Sequence, residues 1–296
     1  MIQKILNRPF FIKLLHWEFW PFHIVYAPVY LYWVWLAAKT RSFFFFSTSN
    51  PTIRNAGFLL ESKKEIYDLI PQPYYPATCF CKKGIAMQEI KILLQNKNLQ
   101  YPLVAKPDIG MQGKAVKKIY DEAMLADYAA NSNVDFLIQE FIPYENEVGI
   151  FYYRFPNEKN GRISGIVKKE FLAVTGDGNA TIEMLLKKDK RFILQLETLR
   201  RSNEDDFNKV LANGETKVLV PYGNHVRGAK FLDISHLADP ALNNVIDEAC
   251  QKINGFYFGR MDIRYKSWED LRQGKNFSII ELNGAGSEPT HIYDPK

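Results

Sequence analysis

The sequence predicts an α+β fold, and three observations carry that expectation. Apolar strand-like runs and helical periodicities alternate irregularly, without a steady βα rhythm. The composition is that of a globular chain: 296 residues, 47% hydrophobic and 24% charged. One helix has both ends marked, with Asp239 as N-cap, Pro240 at its first position and Gly255 just beyond it.

The elements follow in order. Asn50-Pro51 opens a turn, and residues 61–69 form a short helix ended by Pro71, Pro73 and Pro76. Ile85, Ile90, Leu93 and Leu94 give residues 84–98 a helical period. Residues 101–105 (YPLVA) read as a strand running into the glycine-bearing loop DIGMQGKAV. A helix over 121–131 precedes the strand FLIQ at 136–139. Residues 148–153 and 163–168 make a hairpin around Asn160-Gly161. After the helix near 240–253, strands at 258–265 and 277–282 close the body. The expected division is a leader over 1–50, one lobe over 51–139 and a second over 140–296.

The leader differs from the rest. Of the whole chain's net charge of +5, nearly all comes from Lys4, Arg8, Lys13, Lys39 and Arg41, opposed in this segment by Glu18 alone. It holds 15 of the 42 aromatic residues and four of the five Trp. Residues 19–38 contain no Lys, Arg, Asp or Glu, and as one helix would be about 30 Å long, enough to span a bilayer core. Pro21, Pro28 and His23 oppose a span. The residues leave three outcomes open: spanning a membrane, lying in its interface, or packing on the body or a twin subunit as a homodimer. The nearly neutral body excludes a nucleic-acid-binding charge pattern. Three Cys, at 79, 81 and 250, give no disulfide framework and no zinc set, so a reducing, cytoplasmic setting is expected, with attachment to the inner face of the membrane through the leader as a variant.

Three constellations carry chemistry. Lys106 leaves a strand ahead of Gly110, Gly113 and Lys114, a phosphate-handling arrangement without the P-loop order. Glu140, Phe141 and Ile142, followed by Glu147, offer apolar walls for a base and a carboxylate for ribose hydroxyls. The third constellation is the most specific. Alternation places Arg260 and Asp262 on one strand face, and Glu281 and Asn283 on one face of the next. If these strands pair, two carboxylates, an amide oxygen and a guanidinium converge, and the oxygens are hard ligands of the kind that hold Mg²⁺.

In order and spacing, KPDIGMQGKAV, QEFIPYENEVG and RMDIRY…IIELNG resemble the ATP-grasp superfamily of carboxylate ligases over roughly residues 60–296. VTGDGNATIEMLL at 174–186 and the stretch 223–242 resemble the branch of cyanophycin synthetase and glutamate–cysteine ligase; the D-alanine–D-alanine ligases share the core motifs. The resemblance implies two subdomains clasping ATP, and formation of a carbon–nitrogen bond through an acyl phosphate. The substrates would be ATP and a small amino-acid or peptide-like carboxylate and amine. Lys106 and the loop Gly110, Gly113, Lys114 would hold phosphates, with Lys168 or Lys169 as the second basic contact. Glu140, Phe141 and Ile142 would hold adenine, and Glu147 the ribose. Asp262, Glu281 and Asn283 would ligate two Mg²⁺, for which Mn²⁺ could substitute. Arg260 and Lys106 would be catalytic, and Asn224, His225 and Arg227 would face the acceptor.

The chain departs from that pattern in three places. KSWEDLRQGKN lengthens the connection between Asp262 and Glu281. The leader stands where a substrate domain is usual. The sequence stops five residues after His291, where a helix usually follows. A membrane-attached, nucleotide-binding scaffold or sensor without turnover is the alternative reading.

Overall fold

The computed structural model describes residues 8–110, 115–202, 206–220 and 228–294. The fold is α+β, as expected. The chain divides into two compact units, one of residues 46–168 and 233–291, the other of 1–45, 169–232 and 292–296. The chain leaves the first unit and returns to it.

The first unit holds two antiparallel sheets. Strands β1 (Thr78–Cys81), β2 (Leu103–Pro107), β3 (Lys117–Ile119) and β4 (Phe136–Glu140) run in the order β1-β4-β2-β3. One face of this sheet buries Cys79, Cys81, Leu103, Ala105, Phe136 and Ile138 beneath the helices Met87–Asn96 and Glu122–Asn131. Asp121 caps the latter by accepting from the Met124 N–H at 2.8 Å. Alternation turns Lys106, Leu137 and Gln139 to the other face.

In the second sheet β5 (Asn146–Tyr153) and β6 (Arg162–Glu170) form the expected hairpin. The second unit contributes β7 (Leu172–Thr175) and β8 (Thr216–Val220), an antiparallel pair over Ile182, Leu186, Leu199, Phe207 and Leu211. The strand β9 (Lys230–Asp233) runs through the point where the chain returns to the first unit. There β10 (Phe258–Tyr265) and β11 (Phe277–Asn283) complete the order β11-β10-β5-β6. One face packs Val148, Ile150, Tyr152, Met261, Ile263 and Leu282 against the helix Pro240–Gln251. That helix is capped by Asp239, as its sequence marks, with Leu242 N–H to Oδ1 at 2.8 Å. The insertion before β11 folds as the short helix Trp268–Arg272, capped by Ser267.

The uncharged run 19–38 does not form one continuous helix. A turn at Trp17–Phe19 and a short helix at Phe22–Val25 precede a 14-residue helix, Ala27–Thr40. Proline explains the break: Pro21 lies between the first two pieces, and Pro28 stands in the first turn of the third, where its missing N–H costs nothing. Arg41, at φ 54°, ends the helix. Among the described residues no helix is long and apolar enough to cross a membrane.

Residues 46–58 belong to the first unit, where Asn50 acts as a buried staple. Its Nδ2 donates to the carbonyls of Ala56 and Phe258 at 3.0 and 2.8 Å. Its Oδ1 accepts from the N–H groups of Tyr257 and Phe258 at 2.9 and 3.1 Å. Asn50→Ala strands four backbone partners, of which the Ala56 carbonyl is buried, and should cost roughly 1–3 kcal/mol, read as a lower denaturation midpoint at unchanged m.

Candidate active site

The site lies in the first unit and begins with Lys106. Its Nζ donates to Tyr67 Oη at 2.8 Å, to Gln139 Oε1 at 2.9 Å and to the Ile280 carbonyl at 3.2 Å. Tyr67 comes from the helix Lys63–Leu69, which Ser62 caps. Asp108, just past β2, ties that helix to the strand by accepting from the Lys64 N–H at 2.8 Å and Ser62 Oγ at 3.0 Å. Thr78 Oγ1 accepts from Gln139 Nε2 at 2.9 Å, which orients the amide oxygen toward the ammonium. Burial lowers the Lys106 pKa to about 8, and Glu281 pulls the other way.

The Ile280 carbonyl is available because of a bulge. Asp262 pairs with Glu281, but Ile263 pairs with Ile279, so Ile280 is left over in the ladder. Its carbonyl accepts from both Lys106 and Tyr67. The irregularity thus joins the two sheets beside Glu281.

The third constellation forms as its alternation predicts. Arg260 is paired with Asn283 and Asp262 with Glu281 across β10 and β11. Arg260 holds Asp262 with two bonds, Nε to Oδ1 at 2.9 Å and Nη2 to Oδ2 at 3.3 Å. Burial opposes the Arg260 charge, but Asp262, Glu281 and Glu288 together raise its pKa. Three carboxylates thus act on one guanidinium, an excess of negative charge suited to a further cation. The buried Asn283 Nδ2 has no hydrogen-bond partner; it is an N–H donor, so a cation would be held through the amide oxygen instead. Among the described residues no group of three or more His, Cys, Asp or Glu gathers as a metal site. Asp262, Glu281 and the Asn283 amide oxygen are hard oxygen donors, a kind that would suit Mg²⁺.

Two glycines make room on this face. A Cβ on Gly149 would lie 2.8 Å from Val167 Cγ1 and 3.2 Å from both Arg260 Cδ and Asp262 Oδ1. A Cβ on Gly165 would lie 2.7 Å from the His291 ring. Gly149→Ala should displace the Arg260–Asp262 pair at a stability cost of about 1–3 kcal/mol. A denaturation curve reads that cost.

The segment after β4 is anchored by Arg264. Its Nε lies 3.5 Å from a carboxylate oxygen of the buried Glu147. Its Nη1 donates to the carbonyls of Ile142 and Tyr144 at 3.4 and 3.3 Å. The Phe141 ring carries the Lys118 ammonium 3.6 Å from its centre. Glu140 is exposed, and its carboxylate accepts from the Ala77 N–H at 3.4 Å. An open cleft of about 470 Å³ lies beyond this segment, lined by Pro143, Tyr144, Glu145, Asn146, Lys266 and Asn276. None of the predicted site residues lines it.

Of the two lysines left open, alternation along β6 puts Lys169 on the strand face of Gly165 and Val167, and Lys168 on that of Ile166. The Gly110 carbonyl accepts from Lys63 Nζ at 3.0 Å. Gly113, Lys114, Asn224, His225 and Arg227 lie outside the described residues.

Sequence reasoning missed Tyr67, Gln139, Arg264, Glu288 and His291. Arg264 was findable, because it lies two residues beyond Asp262 on the same strand face. His291 stacks edge-on against Phe151 at 5.6 Å, in the row of Arg260.

Similar solved structures include a bifunctional glutathione synthetase from Pasteurella multocida, at 9% identity and TM-score 0.43, over 77% of this chain and 32% of that one. The D-alanine–D-alanine ligase from Bacillus anthracis matches at 13% identity and TM-score 0.42, over 77% and 58%. An ATP-grasp ligase, PsnB, complexed with minimal precursor matches at 11% identity and TM-score 0.39, over 78% and 53%. The chain thus spans less than two thirds of each. No family model and no curated protein matches it.

Proposed function

We propose that the chain is an ATP-dependent carboxylate–amine ligase of the ATP-grasp kind, acting through an acyl phosphate on an amino-acid or peptide-like substrate. The observation that carries this reading is the pairing of β10 with β11. It brings Arg260, Asp262, Glu281 and Asn283 together, with Lys106 held beside Glu281 by the bulged Ile280.

In the first step a substrate carboxylate oxygen bonds to the γ-phosphorus of ATP, the bond to the β-phosphate oxygen breaks, and ADP leaves. In the second step an amine attacks the acyl carbon, phosphate departs with its bonding pair, and the amine loses a proton. The barrier lies mainly in charge on the transferring phosphoryl oxygens, so fixed cations contribute most. Lys106 exchanges the Ile280 carbonyl, its longest contact, for a phosphate oxygen. Arg260, preorganised by Asp262, faces the transferring group. Asp262, Glu281 and Asn283 would hold Mg²⁺, which supplies Lewis-acid neutralisation of phosphate charge when bound. Phe141 and Ile142 would flank the base, and Glu147, fixed by Arg264, would accept from the ribose.

The test is ADP release from Mg·ATP with a panel of amino acids and short peptides, beside ATP affinity in their absence. ADP that appears only with particular panel members supports the ligase. ATP binding without ADP under any condition supports the scaffold alternative.

A further inference from the structure

The leader presents an apolar surface that the site does not use. Its first part is seated within its own unit: Ile12 is buried, Trp17 stacks on Tyr293 at 5.5 Å, and Phe19 lies beneath the Arg191 guanidinium at 5.4 Å. The helix Ala27–Thr40 is different. Val29, Leu31, Tyr32, Val34 and Trp35 are all exposed, with Leu31 at 77% and Trp35 at 53%. These positions run round the helix rather than along one stripe, and Ala37 is its one buried residue. A helix apolar on all sides needs an apolar cover, and water does not supply one.

Charge and length identify the cover. The ends of this surface carry the exposed cations Arg8, Lys13, Lys39 and Arg41, and Lys39 lies over the Trp35 ring at 5.0 Å. Glu18 is the one acidic residue of the segment. Two copies meeting through this surface would bring like charges together, whereas an anionic surface neutralises them. Fourteen residues make about 21 Å of helix, short of the ~30 Å hydrocarbon core. Trp and Tyr, abundant here, favour the headgroup boundary.

We propose that residues 8–44 dock this protein on an anionic lipid bilayer. The helix Ala27–Thr40 sinks into the headgroup and upper acyl region without crossing, so that lipid surrounds its apolar sides, its aromatics sit at the headgroup level, and the flanking cations lie against lipid phosphates. Such a surface holds the protein where an amphiphilic substrate would be found.

The test uses the full chain with vesicles of phosphatidylcholine, either pure or with about a third phosphatidylglycerol, read by co-sedimentation and tryptophan emission. The proposal expects at least tenfold tighter binding to the anionic vesicles, with a blue shift and loss at high salt. Leu31→Glu with Trp35→Glu should abolish binding. Lys39→Glu and Arg41→Glu should each weaken it about fivefold or more. All variants should keep the parent's thermal unfolding midpoint, because the altered side chains are exposed. Equal affinity for both vesicles, or no binding to either, overturns the proposal. So does a dimer in sedimentation velocity that Leu31→Glu with Trp35→Glu returns to monomer in the absence of vesicle binding, which would assign the surface to a second copy.

Discussion

Asp262→Asn and Glu281→Gln are each expected to lower substrate-dependent ADP release by about 10²–10³, equivalent to about 3–4 kcal/mol of lost transition-state stabilisation. The two carboxylates are direct cross-strand partners. Like charges so placed repel unless a cation lies between them. Arg260 answers part of that charge by its two bonds to Asp262. Both substitutions preserve shape, and the remaining carboxylates still act on Arg260, so the fold should persist. The check is ADP release across a Mg²⁺ titration, beside calorimetric unfolding. Near-parental turnover in both variants would remove the metal assignment. Unfolding in both would instead mark the pair as structural.

Lys106 gives the second large effect and an unusual pair of pH trends. Burial lowers its pKa from 10.5 to about 8. If the Lys106 ammonium holds a phosphate as proposed, ATP affinity should fall as pH rises through about 8, up to tenfold for each further unit. Stability should move the other way. A lysine with a depressed folded pKa binds fewer protons folded than unfolded between about 8 and 10.5. Its contribution to unfolding free energy therefore rises with pH across that window. Lys106→Met should weaken ATP binding strongly and erase both trends. Measuring ATP Kd and urea midpoints from pH 7 to 10, in parent and variant, separates this lysine from other titrating groups.

Much of the site was legible because strand alternation is a local rule. RMD and ELN each announce two polar residues on one face, and the short separation between them makes a hairpin the simplest connection. The Lys106 environment was not legible. Tyr67 arrives from a helix 39 residues earlier and Gln139 from a strand 33 residues later. Nothing in Ser278-Ile279-Ile280-Glu281 signals a bulge, since no glycine or proline marks it. Pro21 and Pro28, which oppose a continuous helix in the sequence, mark where the leader's helical run is broken and where its longest helix starts. The division into units was hidden because the excursion over 169–232 leaves and rejoins through strand-like sequence, without a linker signature.

The most direct measurement of the central claim follows oxygen. A substrate that supports ADP release, carrying ¹⁸O in its carboxylate, is turned over with Mg·ATP and the phosphate is analysed by mass. An acyl phosphate predicts one ¹⁸O transferred into each phosphate released. Phosphate free of label, with ADP formed at the same rate, would contradict carboxylate activation and with it the ligase reading.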